Sequence, residues 1–97
     1  MSDAPLSPGA TIGIIGGGQL GRMLSVAASR LGFKSHIFEP GANPPAAQVA
    51  DTVTTASYDD LDALKTFANS VDVITYEFEN IPTEALDVVE AIRPVHP

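Results

Sequence analysis

Ile12-Gly13-Ile14-Ile15-Gly16-Gly17-Gly18-Gln19-Leu20-Gly21 decides how this 97-residue chain is read. Thr11 to Ile15 form a short apolar run with β-branched residues, ending in glycines, as a buried parallel strand does. From Leu20 the apolar positions are Leu20, Met23, Leu24, Ala27, Ala28 and Leu31, the spacing of a helix with one apolar stripe. The stripe puts Met23 in the core and Arg22, Ser25 and Ser29 on other faces. Gly32 is placed to end the helix. Between strand and helix, Gly16, Gly18 and Gly21 fill the set positions of G-x-G-x-x-G, in the strand–turn–helix context the motif requires. Gly16 allows the tight turn, Gly18 lets a ligand approach the backbone, and Gly21 lets the helix pack closely on the strand. The helix start, with its N–H groups and positive dipole end, then offers a place for an anion. The same glycines would also serve a plain βα turn.

Outward from this turn, strand and helix alternate. Ser35-His36-Ile37-Phe38 reads as a second strand, with Glu39 at its end and Pro40-Gly41 breaking it. Gly41 to Ala50 starts as a loop and has room for a helical turn at Ala46 to Ala50. Thr52-Val53-Thr54-Thr55 is a short third strand. A helix opening with Asp59-Asp60 carries Leu61, Leu64 and Ala68 on one face. Tyr58, just before it, is a packing residue between strand and helix. Val71 to Tyr76 is a fourth strand and Glu77 to Pro82 a polar turn. Ala85, Val88, Val89 and Ile92 mark a last helix, with Thr83 or Asn80 as its cap. Pro94 to Pro97 begins a further strand. The predicted fold is α/β, a Rossmann-like parallel sheet flanked by helices, over residues 11–97 behind a flexible leader at 1–10.

Composition limits what such a domain can do. The net charge is −7, from twelve Asp and Glu against five Lys and Arg. That field disfavours nucleic acid and anionic membrane surfaces as partners, so a phosphorylated ligand must be held locally by backbone N–H groups. With no cysteine there is no disulfide, thiolate nucleophile or Cys-based metal site. The first residues lack the features of a signal peptide, and no apolar run approaches a membrane span. A cytoplasmic location is the expectation. His36 and His96 stand apart from each other and read as structural or solvent-facing, and no metal constellation is visible.

Two candidate partners for the glycine turn emerge. Glu39, about 20 residues beyond it at the end of the second strand, matches the acid that bonds a ribose 2′-OH in NAD sites, or is a solvated strand end. Glu77, in Tyr76-Glu77-Phe78-Glu79-Asn80-Ile81-Pro82, follows another strand and so stands at the same C-terminal sheet edge, where open α/β sheets bind ligands. It too has a plain reading, as an exposed loop acid.

Ile12 to Met23 and Tyr76 to Pro82, taken together, closely resemble 5-(carboxyamino)imidazole ribonucleotide synthase, also called the ATPase subunit of phosphoribosylaminoimidazole carboxylase. The resemblance runs over nearly the whole chain from Thr11, including Pro45-Ala46 and Ala50-Asp51. It implies a pre-ATP-grasp domain, part of an ATP-dependent ligase that carboxylates 5-aminoimidazole ribonucleotide with bicarbonate in purine biosynthesis. It also implies that Gln19 and Leu20, with Gly18 beside them, and Glu77 bind the ribonucleotide. ATP and Mg²⁺ would be held in domains outside this chain, which would carry no catalytic residue and be inactive alone. The parent is expected to be a homodimer, with a coding sequence that continues past Pro97. Two alternatives are an NAD(P)-binding domain of an oxidoreductase, with Glu39 on the ribose, and a non-enzymatic nucleotide-sensing module complete at this length.

Overall fold

The computed structural model describes residues 7–76 and 81–96. Its parallel sheet has four strands, β1 (Thr11–Ile15), β2 (Lys34–Glu39), β3 (Thr52–Thr55) and β4 (Val73–Tyr76), in the order β3-β2-β1-β4. Three helices join them: α1 (Gln19–Arg30), α2 (Leu61–Asn69) and α3 (Thr83–Glu90), with a short 3-10 turn at Pro45–Gln48. The expected α/β sheet flanked by helices is what forms. Beyond β4, Val95 bridges Ile74 in parallel, so the expected further strand begins there.

Side-chain alternation along the strands builds two cores. Ile14 and Ile37 pair in register and, with Ala46, pack beneath Leu24 of α1. Ile15 and Phe38, the next pair, face the other way with Ile74, against Leu64 and Phe67 of α2 and Ala85 and Val89 of α3. Each fully buried Ile, Leu or Phe is worth about 1.5–3 kcal/mol, so the α2–α3 face, with more of them, dominates stability. Tyr58 stacks on Phe38 at 5.9 Å between ring centres, the packing role expected of it.

Gly13 sits under α2. A Cβ built there would lie 2.8 Å from Phe67 Cζ and 2.9 Å from Val71 Cγ2, so only glycine lets this helix down onto β1. The N-terminal edge of the sheet is tied by two reciprocal pairs. The Thr11 N–H donates to Asp72 Oδ2 at 2.8 Å while the Asp72 N–H donates to the Thr11 carbonyl at 2.8 Å. Asp51 does the same for Ser35, at 2.9 and 3.1 Å. Residues 7–10 of the expected leader are also tied in: the Gly9 N–H donates to the Gly32 carbonyl, and the Lys34 N–H to the Ala10 carbonyl.

The apolar stripe of α1 misplaces its packed face. Met23 is 66% exposed, with Leu20 at 44% and Leu31 at 73%, whereas Gly21, Ser25 and Ala28 are buried. The packed face is thus rotated from the stripe by about one residue, roughly 100° of helix. Small residues there let α1 lie close to the sheet and to the Pro45–Gln48 turn, and bulkier side chains are turned outward. The caps were only partly foreseen. Asp60 caps α2 by accepting from the Ala63 N–H at 3.0 Å. At α3 the capping position is Pro82, without a side-chain bond, and Thr83 is already helical. Asn80 lies outside the described residues.

Candidate functional site

The route of the chain puts a reversal of strand order at β1. From β1 it moves through α1 to β2 and on to β3, then returns through α2 to β4 on the opposite side of β1. Strand order therefore reverses between β1 and β4, and ligands of open α/β sheets bind outside the C-terminal ends of strands at such a reversal. Ile15, the last residue of β1, pairs with Tyr76, the last of β4. The glycine turn and the end of β4 are accordingly neighbours on one edge, as the sequence required. Glu77, the acid expected to complete the pocket, lies outside the described residues.

Within the turn, Gly16 has φ 109° and its N–H donates to the Phe38 carbonyl at 2.8 Å. Gly18 is the capping residue of α1, and its carbonyl accepts from the Arg22 N–H at 2.9 Å. Gln19 and Leu20 open the helix and are exposed, so their first-turn backbone and side chains face solvent at the edge. First-turn N–H groups have no partner within their own helix, and the dipole end is positive there. The turn can thus offer amides and field to an anionic or hydroxyl-bearing ligand. Arg22 is exposed.

Glu39 is not the solvated strand end that was one reading of it, because its carboxylate is bound to the turn. Oε1 accepts from the Gly17 N–H at 2.7 Å, and Oε2 accepts from the Gly41 N–H at 2.9 Å. It is half-buried rather than a solvated strand end. Each oxygen accepts from a backbone N–H, which ties Glu39 into the turn itself. A second unforeseen feature is the loop that follows β2. The Ala46 N–H donates to the Gly17 carbonyl at 2.9 Å, and a Cβ on Gly17 would lie 2.8 Å from Pro44 Cβ. Gly17, the unassigned second glycine of the motif, is therefore as constrained as its neighbours. The run Asn43-Pro44-Pro45 was the available signal, but the contact crosses more than 20 residues.

A cavity of about 570 Å³ lies along the outer face of α1, lined by Met23, Val26, Ala27 and Leu31 together with Arg22 and Arg30. No residue of the glycine turn lines it. Among the described residues no group of three or more His, Asp or Glu is arranged to hold a metal.

His36, whose pKa is shifted, belongs to the core. It is 8% exposed and meets Phe67 edge-on at 4.9 Å. Ser70 Oγ donates to the Phe67 carbonyl at 2.7 Å, so His36 Nδ1–H must donate to Ser70 Oγ, at 3.0 Å. Nε2 then accepts from the Thr54 hydroxyl at 2.6 Å. Burial lowers the imidazole pKa below its ordinary 6.5. The unfolded chain therefore binds the proton more readily than the folded one. Stability from this group is present above about pH 6.5 and is lost as pH falls through that value toward the lowered folded pKa. Urea midpoints should drop between pH 7.5 and 5 and drop less in His36→Gln. Parallel pH curves for the two proteins would contradict this role.

Residues 9–97 match the family described as the ribonucleotide synthetase preATP-grasp domain. The chain is 59% identical over 87 residues to N5-carboxyaminoimidazole ribonucleotide synthase of Brucella melitensis, covering 90% of this chain and 24% of that protein. Among solved structures, it resembles an ADP complex of N5-carboxyaminoimidazole ribonucleotide synthetase, with TM-score 0.87, 51% identity, and coverage of 93% of this chain and 24% of the other. It also resembles the Aspergillus clavatus synthase bound to ADP and 5-aminoimidazole ribonucleotide, with TM-score 0.79 and 35% identity, over 93% of this chain and 24% of that one. The chain spans about a quarter of the length of these relatives.

Proposed function

The chain belongs to the ribonucleotide synthetase preATP-grasp family, and from that membership we propose that it is the ribonucleotide-binding part of a longer ligase. The reaction is ATP-dependent carboxylation of the exocyclic amine of 5-aminoimidazole ribonucleotide by bicarbonate, a step of purine biosynthesis. The observation that carries this reading is the shared edge: the glycine turn and the end of β4 meet where strand order reverses. The Aspergillus clavatus relative, solved in complex with ADP and that ribonucleotide, lends it support.

In this reading Gly18, Gln19 and Leu20 meet the ribonucleotide through the helix start, and Glu77 accepts hydrogen bonds from its ribose hydroxyls or amine. Holding the substrate there removes much of the translational and orientational cost of bringing its amine to activated bicarbonate. By the resemblance to the family, Mg²⁺ and ATP would be held by other parts of the ligase. This part by itself performs no carboxylation. The full ligase is read as a cytoplasmic homodimer. Among the described residues, no helix is long and apolar enough to cross a membrane.

In the full-length synthase, Gln19→Ala or Glu77→Ala should raise the KM for the ribonucleotide by about tenfold, the scale of one lost polar contact. The KM for ATP should stay put. Steady-state constants that match the parent's in both variants would remove these residues from the pocket. Glu39, the acid that the NAD(P) alternative calls on, is engaged with the backbone of its own turn, accepting from the Gly17 and Gly41 N–H groups.

A further inference from the structure

We infer that Glu39 is a positioning residue for ribonucleotide binding, locking the glycine turn into the shape that presents the start of α1 to the substrate. Its role rests on the substrate reading above and concerns how that same site is shaped.

Three glycines in succession, Gly16 to Gly18, make a turn with unusually many accessible backbone conformations. A turn left to itself would have to be ordered by the ligand, and that ordering would be subtracted from binding. Glu39 removes the freedom beforehand. Its carboxylate holds the Gly17 N–H at 2.7 Å with one oxygen and the Gly41 N–H at 2.9 Å with the other. Charge-assisted bonds of this length are stronger than neutral ones. The carbonyl of the same Gly17 is held by the Ala46 N–H at 2.9 Å, and Pro44, which is buried, closes against its Cα. Gly17 is thus gripped at its N–H, its carbonyl and its α-carbon by one loop, the segment from Glu39 to Ala46.

This grip also limits the direction of approach. The Glu39–Ala46 loop follows β2, and β2 and β4 flank β1 on opposite sides. Glu39 and Pro44 therefore fill the β2 side of the turn. A dinucleotide would need the β2 side for its second ribose, whereas a single ribonucleotide does not. Glu39 therefore favours a mononucleotide at this turn as well as stiffening it.

The test uses the full-length synthase with Glu39→Ala and Glu39→Gln, measuring kcat and both KM values, with Gln19→Ala alongside. Glu39→Ala should raise the ribonucleotide KM about tenfold while the ATP KM holds. Glu39→Gln should fall between, because its amide oxygen still accepts from Gly17 but its NH₂ cannot accept from Gly41. A purely structural role would lower kcat with the folded fraction and leave both KM values alone, and that result overturns the inference. Equal rises in both KM values overturn it too. If Gln19→Ala shifts the ribonucleotide KM and neither Glu39 variant does, the positioning role fails while the substrate reading stands. If none of the three shifts it, the substrate reading fails as well. Should Glu39→Ala not fold, Glu39→Gln decides by the same criteria.

Discussion

Replacing Gly13 by valine should lower the stability of the domain by about 2–3 kcal/mol, the range for overpacking a filled core. A single Cβ at this position already meets Phe67 Cζ at 2.8 Å and the two Val71 γ-carbons at 2.9 and 3.1 Å. Valine adds two more carbons in the same gap. Phe67 is 1% exposed and Val71 2%, so neither can swing into solvent; α2 itself has to lift from β1. At about 4–8 °C per kcal/mol for a domain of this size, the melting temperature should fall by roughly 10–20 °C. Gly13→Ala should cost less, and Phe67→Leu combined with it should recover part of the loss. Such neighbours couple by about 0.5–3 kcal/mol. A change in melting temperature within error for Gly13→Val would mean that α2 is not seated as described. Affinity for the ribonucleotide should follow the folded fraction only, because Gly13 lies inside the sheet.

Gly17→Ala is the converse case, in which binding suffers beyond what stability explains. The added methyl would stand 2.8 Å from Pro44 Cβ, 3.0 Å from Pro44 Cγ and 3.1 Å from Glu39 Cβ. These atoms belong to the loop that holds the turn, so relief of the clash pushes away Glu39 and Ala46 together. Both bonds to the Gly17 peptide are then weakened, at 2.7 and 2.9 Å in the parent. The expected result in the full-length synthase is a ribonucleotide KM raised by about thirtyfold, more than for Glu39→Ala, since both the N–H and the carbonyl of Gly17 lose their hold rather than the N–H alone. The ATP KM should remain near that of the parent. Thermal stability should fall by about 1–3 kcal/mol as well, which makes the split between the two KM values the informative readout. A fully folded Gly17→Ala enzyme with an unaltered ribonucleotide KM would show that the glycine turn is not gripped from the β2 side.

Set beside each other, these two glycines show where local patterns stop informing. Gly16, Gly18 and Gly21 could be read from spacing, because the motif encodes a turn and the start of the next helix in consecutive residues. Gly13 and Gly17 look like spare glycines in the sequence. Their importance comes from Phe67, Val71 and Pro44, which lie between 27 and 58 residues further along the chain. Glu39 is similar. Its distance from the turn suggested a ligand contact, yet the loop after β2 folds back and brings the Gly17 and Gly41 amides onto it.

Some readings needed only local chemistry. The β-branched runs of β1 and β3, the helical periods of α1 to α3 and the acids before α2 each act within a few residues, and all of these elements formed where expected. The meeting of the glycine turn with the end of β4 followed from strand–helix alternation alone, since parallel strands must send their C-terminal ends to one edge. The sequence by itself thus determined a parallel α/β sheet and the edge at which the glycine turn meets the end of β4. Which face of α1 packs, with Gly21, Ser25 and Ala28 inward and Met23 outward, was decided only by tertiary structure. So were the strand order, the buried His36 bridge to Thr54 and Ser70, and the capture of Gly17 by Glu39. A periodic pattern fixes that a helix has an apolar side, but close approach selects the small residues, and what lies across the gap is not encoded nearby.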